Sequence, residues 1–177
     1  GFAHSHMDGL PHFAHKGFFY NGVPYSAAKA SGSDRLGIHN AGVEGVVTRG
    51  ILVDMPKYLG VPFMQPGTAI TIEDLEAWEK AHAIRIGKGD VLLIRTGRWA
   101  KVEADGQWNF LEKAAGMHAS VAAWLKDRDV AMIGCDGVSD VMPSGVEGKV
   151  NPLHELVLVG LGMPILDNLD LDPVAKV

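Results

Sequence analysis

Two short stretches, Val91-Leu92-Leu93-Ile94-Arg95 and Val130-Ala131-Met132-Ile133-Gly134-Cys135, are apolar at almost every position. A strand with one face in water alternates polar and apolar residues. A run without that alternation reads as a strand buried on both faces. Helical patterns are interleaved with these runs. Thr71 opens one, with Asp74 three residues on in a capping-box position, and Leu75, Trp78 and Glu79 carry it to about His82. A second spans His118–Lys126, with Val121, Trp124 and Leu125 on one face. Val46–Asp54 reads as a strand ended by Pro56, Pro152–Leu161 as a short buried helix ended by Gly162, and Pro164–Leu166 as a last strand. Residues 1–25, Thr96–Trp99 and Ser139–Lys149 read as loops, the first with a short strand in it, and residues 103–110 read as polar and exposed. Strands and helices that alternate in this way predict a mixed α/β fold.

At 177 residues a single domain with a real core is expected. Apolar content of 47% and charged content of 21% are those of an ordinary globular chain. A net charge of -5 without a Lys/Arg cluster argues against a nucleic-acid partner. No apolar run reaches membrane-spanning length, so no membrane partner is expected. Cys135 is the single cysteine, which excludes an intrachain disulfide and fits a cytoplasmic setting. There is no G-x-G-x-x-G, no phosphate loop and no G-x-S-x-G elbow, so nucleotide and serine-hydrolase chemistry lack support.

Chemistry concentrates near the start. His6, Asp8 and His12 lie within seven residues, in Ser5-His6-Met7-Asp8-Gly9-Leu10-Pro11-His12-Phe13. His6 and Asp8 are two apart and share a face of an extended strand, and Gly9-Leu10-Pro11 can turn His12 back beside them. Imidazole and carboxylate are usual ligands of a hydrolytic divalent metal. From the residues alone His12 is open between ligand, general acid or base, and turn histidine. His154 is open between ligand and helix start, Asp167 between ligand and strand-end residue. Asp136 is open between orienting a ligand histidine and closing a turn. His4 fits an orienting or exposed place better than a ligand's. Phe18, Phe19, Tyr20 and Trp99 could line a pocket for a flat substrate, or serve as core or subunit contact.

The run Ser5–Phe13 resembles the metal-binding motif of the metal-dependent cyclase-family hydrolases, a family that includes bacterial kynurenine formamidase and isatin hydrolase. Later blocks agree in order: Tyr20-Asn21-Gly22, Thr48-Arg49-Gly50-Ile51-Leu52-Val53-Asp54, Gly89–Gly97, Gly134-Cys135-Asp136, and His154 followed by Ile165-Leu166-Asp167-Asn168-Leu169. The resemblance covers nearly the whole chain. It departs at three places. Phe2 stands where two-metal members carry a further histidine, the motif's proline position is Leu10, and Asp167 stands where many members have glutamate.

The resemblance implies the swivelling β/β/α fold, in one domain over 1–177 that lacks the family's N- and C-terminal segments. It implies a Zn or Mn ion held by His6, Asp8 and Asp167 with His154, and His12 as the proton donor. Phe2 makes one metal per chain the expectation. The implied activity is hydrolysis of a small non-peptide amide, cyclic or aryl, with a lactone or a catalytically inactive metal-binding member as the alternatives. A binding module without chemistry is the remaining rival. Phe18, Tyr20 and Trp99 would meet the substrate, and copies of the chain would pair as dimers or larger homo-oligomers.

Overall fold

The structure is a computed structural model and describes residues 4–33 and 35–177, apart from the Glu44 side chain. Its frame is a five-stranded sheet. In chain order the strands are β1 (His6–Asp8), β2 (Gly50–Asp54), β3 (Val91–Arg95), β4 (Met132–Cys135) and β5 (Ile165–Asp167). Across the sheet the order is β1-β5-β4-β3-β2. All neighbours are parallel except β1, which runs antiparallel to β5. The first and last strands therefore lie side by side at one edge.

One face of the sheet carries Ile165, Ile133, Leu92 and Ile51 in neighbouring register, all buried. Three helices pack on it. Helix α1 (Ile72–His82) buries Leu75 and Trp78, and α2 (Val121–Asp127) buries Val121, Ala122, Trp124 and Leu125. The third segment starts as an α-turn at Pro152–His154 and continues as a π-helix over Glu155–Leu161, burying Leu153, Val157 and Leu158. Burial of this kind contributes about 25 cal/mol per Å² of apolar surface. It makes this side the core.

The opposite face carries Met7, Leu166, Leu93 and Leu52 and is only half-buried. The Val91–Arg95 run is thus less completely buried than its composition predicts, because β3 alternates between fully and partly covered positions, whereas β4 is buried at every position. Gly134 leaves room on this face for leucine methyls, since a Cβ there would lie 2.9 Å from Leu93 Cδ2 and 3.0 Å from Leu169 Cδ1.

Several expected elements moved. The strand expected over Val46–Asp54 begins at Gly50, and Pro56 sits in the first turn of a helix over Met55–Leu59 that Asp54 caps. Thr96–Trp99 is not simply a loop, because a helix runs over Arg98–Asp105. A short helix over His39–Glu44 was not foreseen. The Thr71 capping box is present with both of its hydrogen bonds. Among the described residues no helix is long and apolar enough to cross a membrane.

Arg49 fastens the entry ends of β2 and β3. Its Nε and Nη2 donate to the two oxygens of Asp90 at 2.8 and 2.6 Å, and the Gly87 N–H adds a third bond. The Arg49 hydrogen bond holds the Asp90 carboxyl below the ordinary carboxylate range. A depressed carboxylate stabilises the fold above the unfolded value of about 3.9 and loses that contribution as the pH falls through its folded value. Asp90→Asn should therefore lower Tm at pH 7 and leave it near wild type in strong acid, as read by thermal denaturation across pH.

Candidate metal centre

The pairing of β1 with β5 builds the site. His6 lies directly opposite Asp167, and Asp8 opposite Ile165. Opposed residues of an antiparallel pair project to the same face, so His6, Asp8 and Asp167 share the core-side face of the sheet. Their ligand-type atoms all lie within 4.8 Å of one another, and among the described residues they form the one such group. His6 Nδ1 sits 2.8 Å from the His4 carbonyl, which turns its Nε2 towards Asp8 Oδ1 at 3.8 Å. His4 thus meets His6 through its main chain, while its own ring is exposed.

His154 enters from the start of the α/π segment. Its Nε2 is 3.2 Å from Asp167 Oδ2 and 3.5 Å from Asp8 Oδ2. Its Nδ1 is 2.6 Å from Asp140 Oδ2. The other oxygen of Asp167 accepts from the Ser139 N–H and Oγ–H, at 3.1 and 2.6 Å. His12 closes the rim, half-exposed, with Nε2 3.7 Å from Asp8 Oδ1. The turn that returns it is closed by the His12 N–H donating to the Gly9 carbonyl at 3.0 Å.

Asp8, Asp140 and Asp167 are each at least 95% buried, with imidazoles as their nearest positive partners. Burial pushes the Asp8 carboxyl up, but the hydrogen bond from His154 and the fields of His12, His154 and His6 outweigh it and hold it low. Burial pulls the His154 imidazole down, and its bonds to Asp140, Asp167 and Asp8 hold it well above the ordinary histidine range. A pocket that gathers buried carboxyl groups around imidazoles is electrostatically suited to a cation. The donor set of nitrogen and oxygen without thiolate fits a borderline or hard divalent ion.

A cavity of about 320 Å³ opens over this floor. Phe13, Leu111, Val138 and Asn151 line it together with His6, Asp8, His12, His154 and Asp167. The aromatics expected to meet a substrate lie elsewhere. Phe18 is 51% exposed on the outer surface. Tyr20 lies over Gly162, where a Cβ would strike its ring at 2.5 Å. Trp99 donates from Nε1 to the Leu169 carbonyl at 2.8 Å and lies beneath the Arg98 guanidinium. Their place is taken by Phe13, whose ring lies 5.1 Å from that of His154. Phe13 directly follows His12, so its nearness to the site was visible in the sequence.

The structure also gives Asp136 a different partner from a ligand histidine. Its carboxylate accepts from the Thr96 N–H and Oγ1–H and from the Gly97 and Arg98 N–H groups, at 2.7 to 3.2 Å. It anchors the start of the Arg98–Asp105 helix, which has no local side-chain cap. Asp140, four residues further on, meets His154 instead. No spacing rule points to it, because the contact crosses a loop read only as Gly, Pro and Ser. Phe2, on which the expectation of a single metal rested, lies outside the described residues.

The Cyclase family model, described as "Putative cyclase", matches residues 3–140. The chain is similar to a crystal structure of "a novel cyclase", with 28% identity and a TM-score of 0.82 over 96% of this chain and 56% of that one. It also matches isatin hydrolase A from Ralstonia solanacearum (20% identity, TM-score 0.61, 96% of this chain and 70% of that). A third match is a "Potential Metal-Dependent Hydrolase With Cyclase Activity" (17% identity, TM-score 0.58, 98% and 65%). The last two likenesses show the fold alone. The chain spans a little over half the length of the first of these structures. Comparison with curated proteins gave no match.

Replacing His6 or Asp8 with Ala should empty the site, because a site of few protein ligands rarely survives losing one. Elemental analysis should read close to one Zn or Mn per wild-type chain and near zero for either variant.

Proposed function

Because this chain belongs to the cyclase family, we propose that it is a metal-dependent hydrolase of a small non-peptide amide. The observation that carries this reading is the joining of three ligand-type residues, His6, Asp8 and Asp167, with a half-exposed histidine, His12, on the wall of one cavity. A divalent ion in such a site supplies Lewis-acid polarisation of a carbonyl and lowers the pKa of water. His6, Asp8 and Asp167, joined by His154, would hold it, and Zn and Mn both suit the donor set.

The chain's own groups do the rest. Phe13, Leu111 and Val138 give the cavity apolar walls for the flat part of a substrate. Asn151 Nδ2 has the Met142 sulfur at 3.7 Å as its partner, a weak acceptor, so its amide is suited to hydrogen-bond a substrate carbonyl. At about 320 Å³ the cavity is near the small end of ligand sites, which supports a compact substrate. His12 lies near Asp8 but at the rim, where its imidazole can give a proton to the leaving nitrogen as the C–N bond breaks.

His12→Ala should keep its metal while amide hydrolysis falls by roughly two to four orders of magnitude, the usual span for general acid–base catalysis. An activated ester, whose leaving group needs no proton, should lose far less. Loss of the metal in this variant, or amide hydrolysis at the full rate, would show that His12 is not the donor. A wild-type protein that holds metal and hydrolyses neither amides nor lactones would count for the inactive alternative.

We also propose that copies of the chain associate. Phe18 and Tyr25 are both exposed, on a segment closed by the bridge between Phe18 and Pro24, and they offer apolar area to a partner. Sedimentation at micromolar concentration should show a dimer or larger, and a pure monomer would contradict this.

A further inference from the structure

We propose that Asp140 is the positioning residue of the metal centre: it locks the His154 ring so that Nε2, not Nδ1, faces Asp8 and Asp167. The inference rests on the metal-site reading above.

Asp140 is 1% exposed, and both its oxygens are committed to one short segment. Oδ1 accepts the Leu153 N–H at 2.8 Å, and Oδ2 accepts the His154 N–H at 3.1 Å and Nδ1–H at 2.6 Å. A single carboxylate therefore grips the backbone and the ring of the same histidine. Backbone position and ring rotation are fixed together. When an ion displaces the Nε2 proton, a carboxylate on Nδ1 keeps the remaining proton there and leaves the Nε2 lone pair to face the cluster.

Asp140 is itself held rigidly. The Met117 N–H donates to the Ser139 carbonyl at 2.8 Å, and the Val141 N–H to the Met117 carbonyl at 3.1 Å. Gly116 allows this close approach. A Cβ at that position would lie 2.5 Å from the Asp140 carbonyl oxygen and 2.8 Å from the Val141 nitrogen. Both atoms are backbone, so a side chain at 116 forces one of the two backbone segments to shift.

The plainer alternative is that Asp140 only caps the start of the Pro152–His154 turn. Asparagine separates the two roles. Its single amide oxygen can keep only one of the two acceptor positions, Oδ1 for the Leu153 N–H or Oδ2 for the His154 N–H and Nδ1–H, and its neutral amide no longer compels a proton on Nδ1. Apo-protein titrated with Zn²⁺ or Mn²⁺ in a calorimeter should show Asp140→Asn binding about 10- to 100-fold more weakly than wild type, the usual cost of losing a partner that orients a ligand. Its apo Tm should fall modestly, as the loss of one backbone hydrogen bond requires, and a cap role alone would not add weakened metal binding to that. Gly116→Ala, with the carboxyl chemically intact, should also weaken binding. In the zinc-loaded wild type, ¹⁵N NMR should report His154 with Nδ1 protonated and Nε2 on the metal, a readout independent of how any variant folds.

Wild-type affinity in Asp140→Asn overturns the proposal, as does a zinc-loaded His154 bound through Nδ1 or protonated at Nε2. A wild-type chain that binds no metal overturns both this inference and the function proposed above. Equal binding by wild type and variant removes the positioning role alone.

Discussion

Acidic side chains buried beside a hydrocarbon core are the constraint around which the rest of this molecule is arranged. Asp8 and Asp167 face the same side of the sheet as Ile165, Ile133 and Leu92. An uncompensated charge there would cost several kcal/mol or take up a proton. The chain meets that cost with imidazoles, with the Ser139 hydroxyl and N–H, and with an arrangement suited to a cation. The α-to-π change at His154 brings a further ring into the same space. Rare π-helical turns are found disproportionately at functional sites, where they re-aim side chains that a regular helix would place elsewhere.

Asp136 and Asp140 show how little residue type alone decides. Both are buried aspartates near the exit of β4, and both have all their oxygens engaged. One grips the N–H groups that open the Arg98–Asp105 helix, the other a histidine and its own backbone. Burial pushes the Asp136 carboxyl up despite the hydrogen bonds it accepts from Thr96, Gly97 and Arg98, because none of them comes from a charged group. The two differ in what the chain brings opposite them, which is a property of the fold.

That contrast also marks how far the sequence could be read. The capping box at Thr71, the apolar strands and the His6/Asp8 pair were legible because each is a local pattern with a fixed period or spacing. The family resemblance extended the reading to His154 and Asp167, which no local rule joins to His6. The Arg98–Asp105 helix was missed because its cap is supplied from Asp136 across the sheet, so the usual signal before the first turn is absent. The substrate-side aromatics were misplaced for a related reason. Phe18, Tyr20 and Trp99 are consumed by surface, by Gly162 and by Leu169, and nothing in their spacing reveals those partners.

The side-by-side placement of β1 and β5 has a consequence for how the molecule comes into being. Ser5 and Asn168 are hydrogen-bonded 163 positions apart in the chain. A contact so distant in sequence carries the full entropy of closing the loop between its ends. During synthesis the His6/Asp8 pair leaves the ribosome well before Asp167, and it has no Asp167 opposite it until β2, β3 and β4 have emerged. The centre therefore forms only after the strands between its two halves have been made, and an ion retained there reports that β1 and β5 have met.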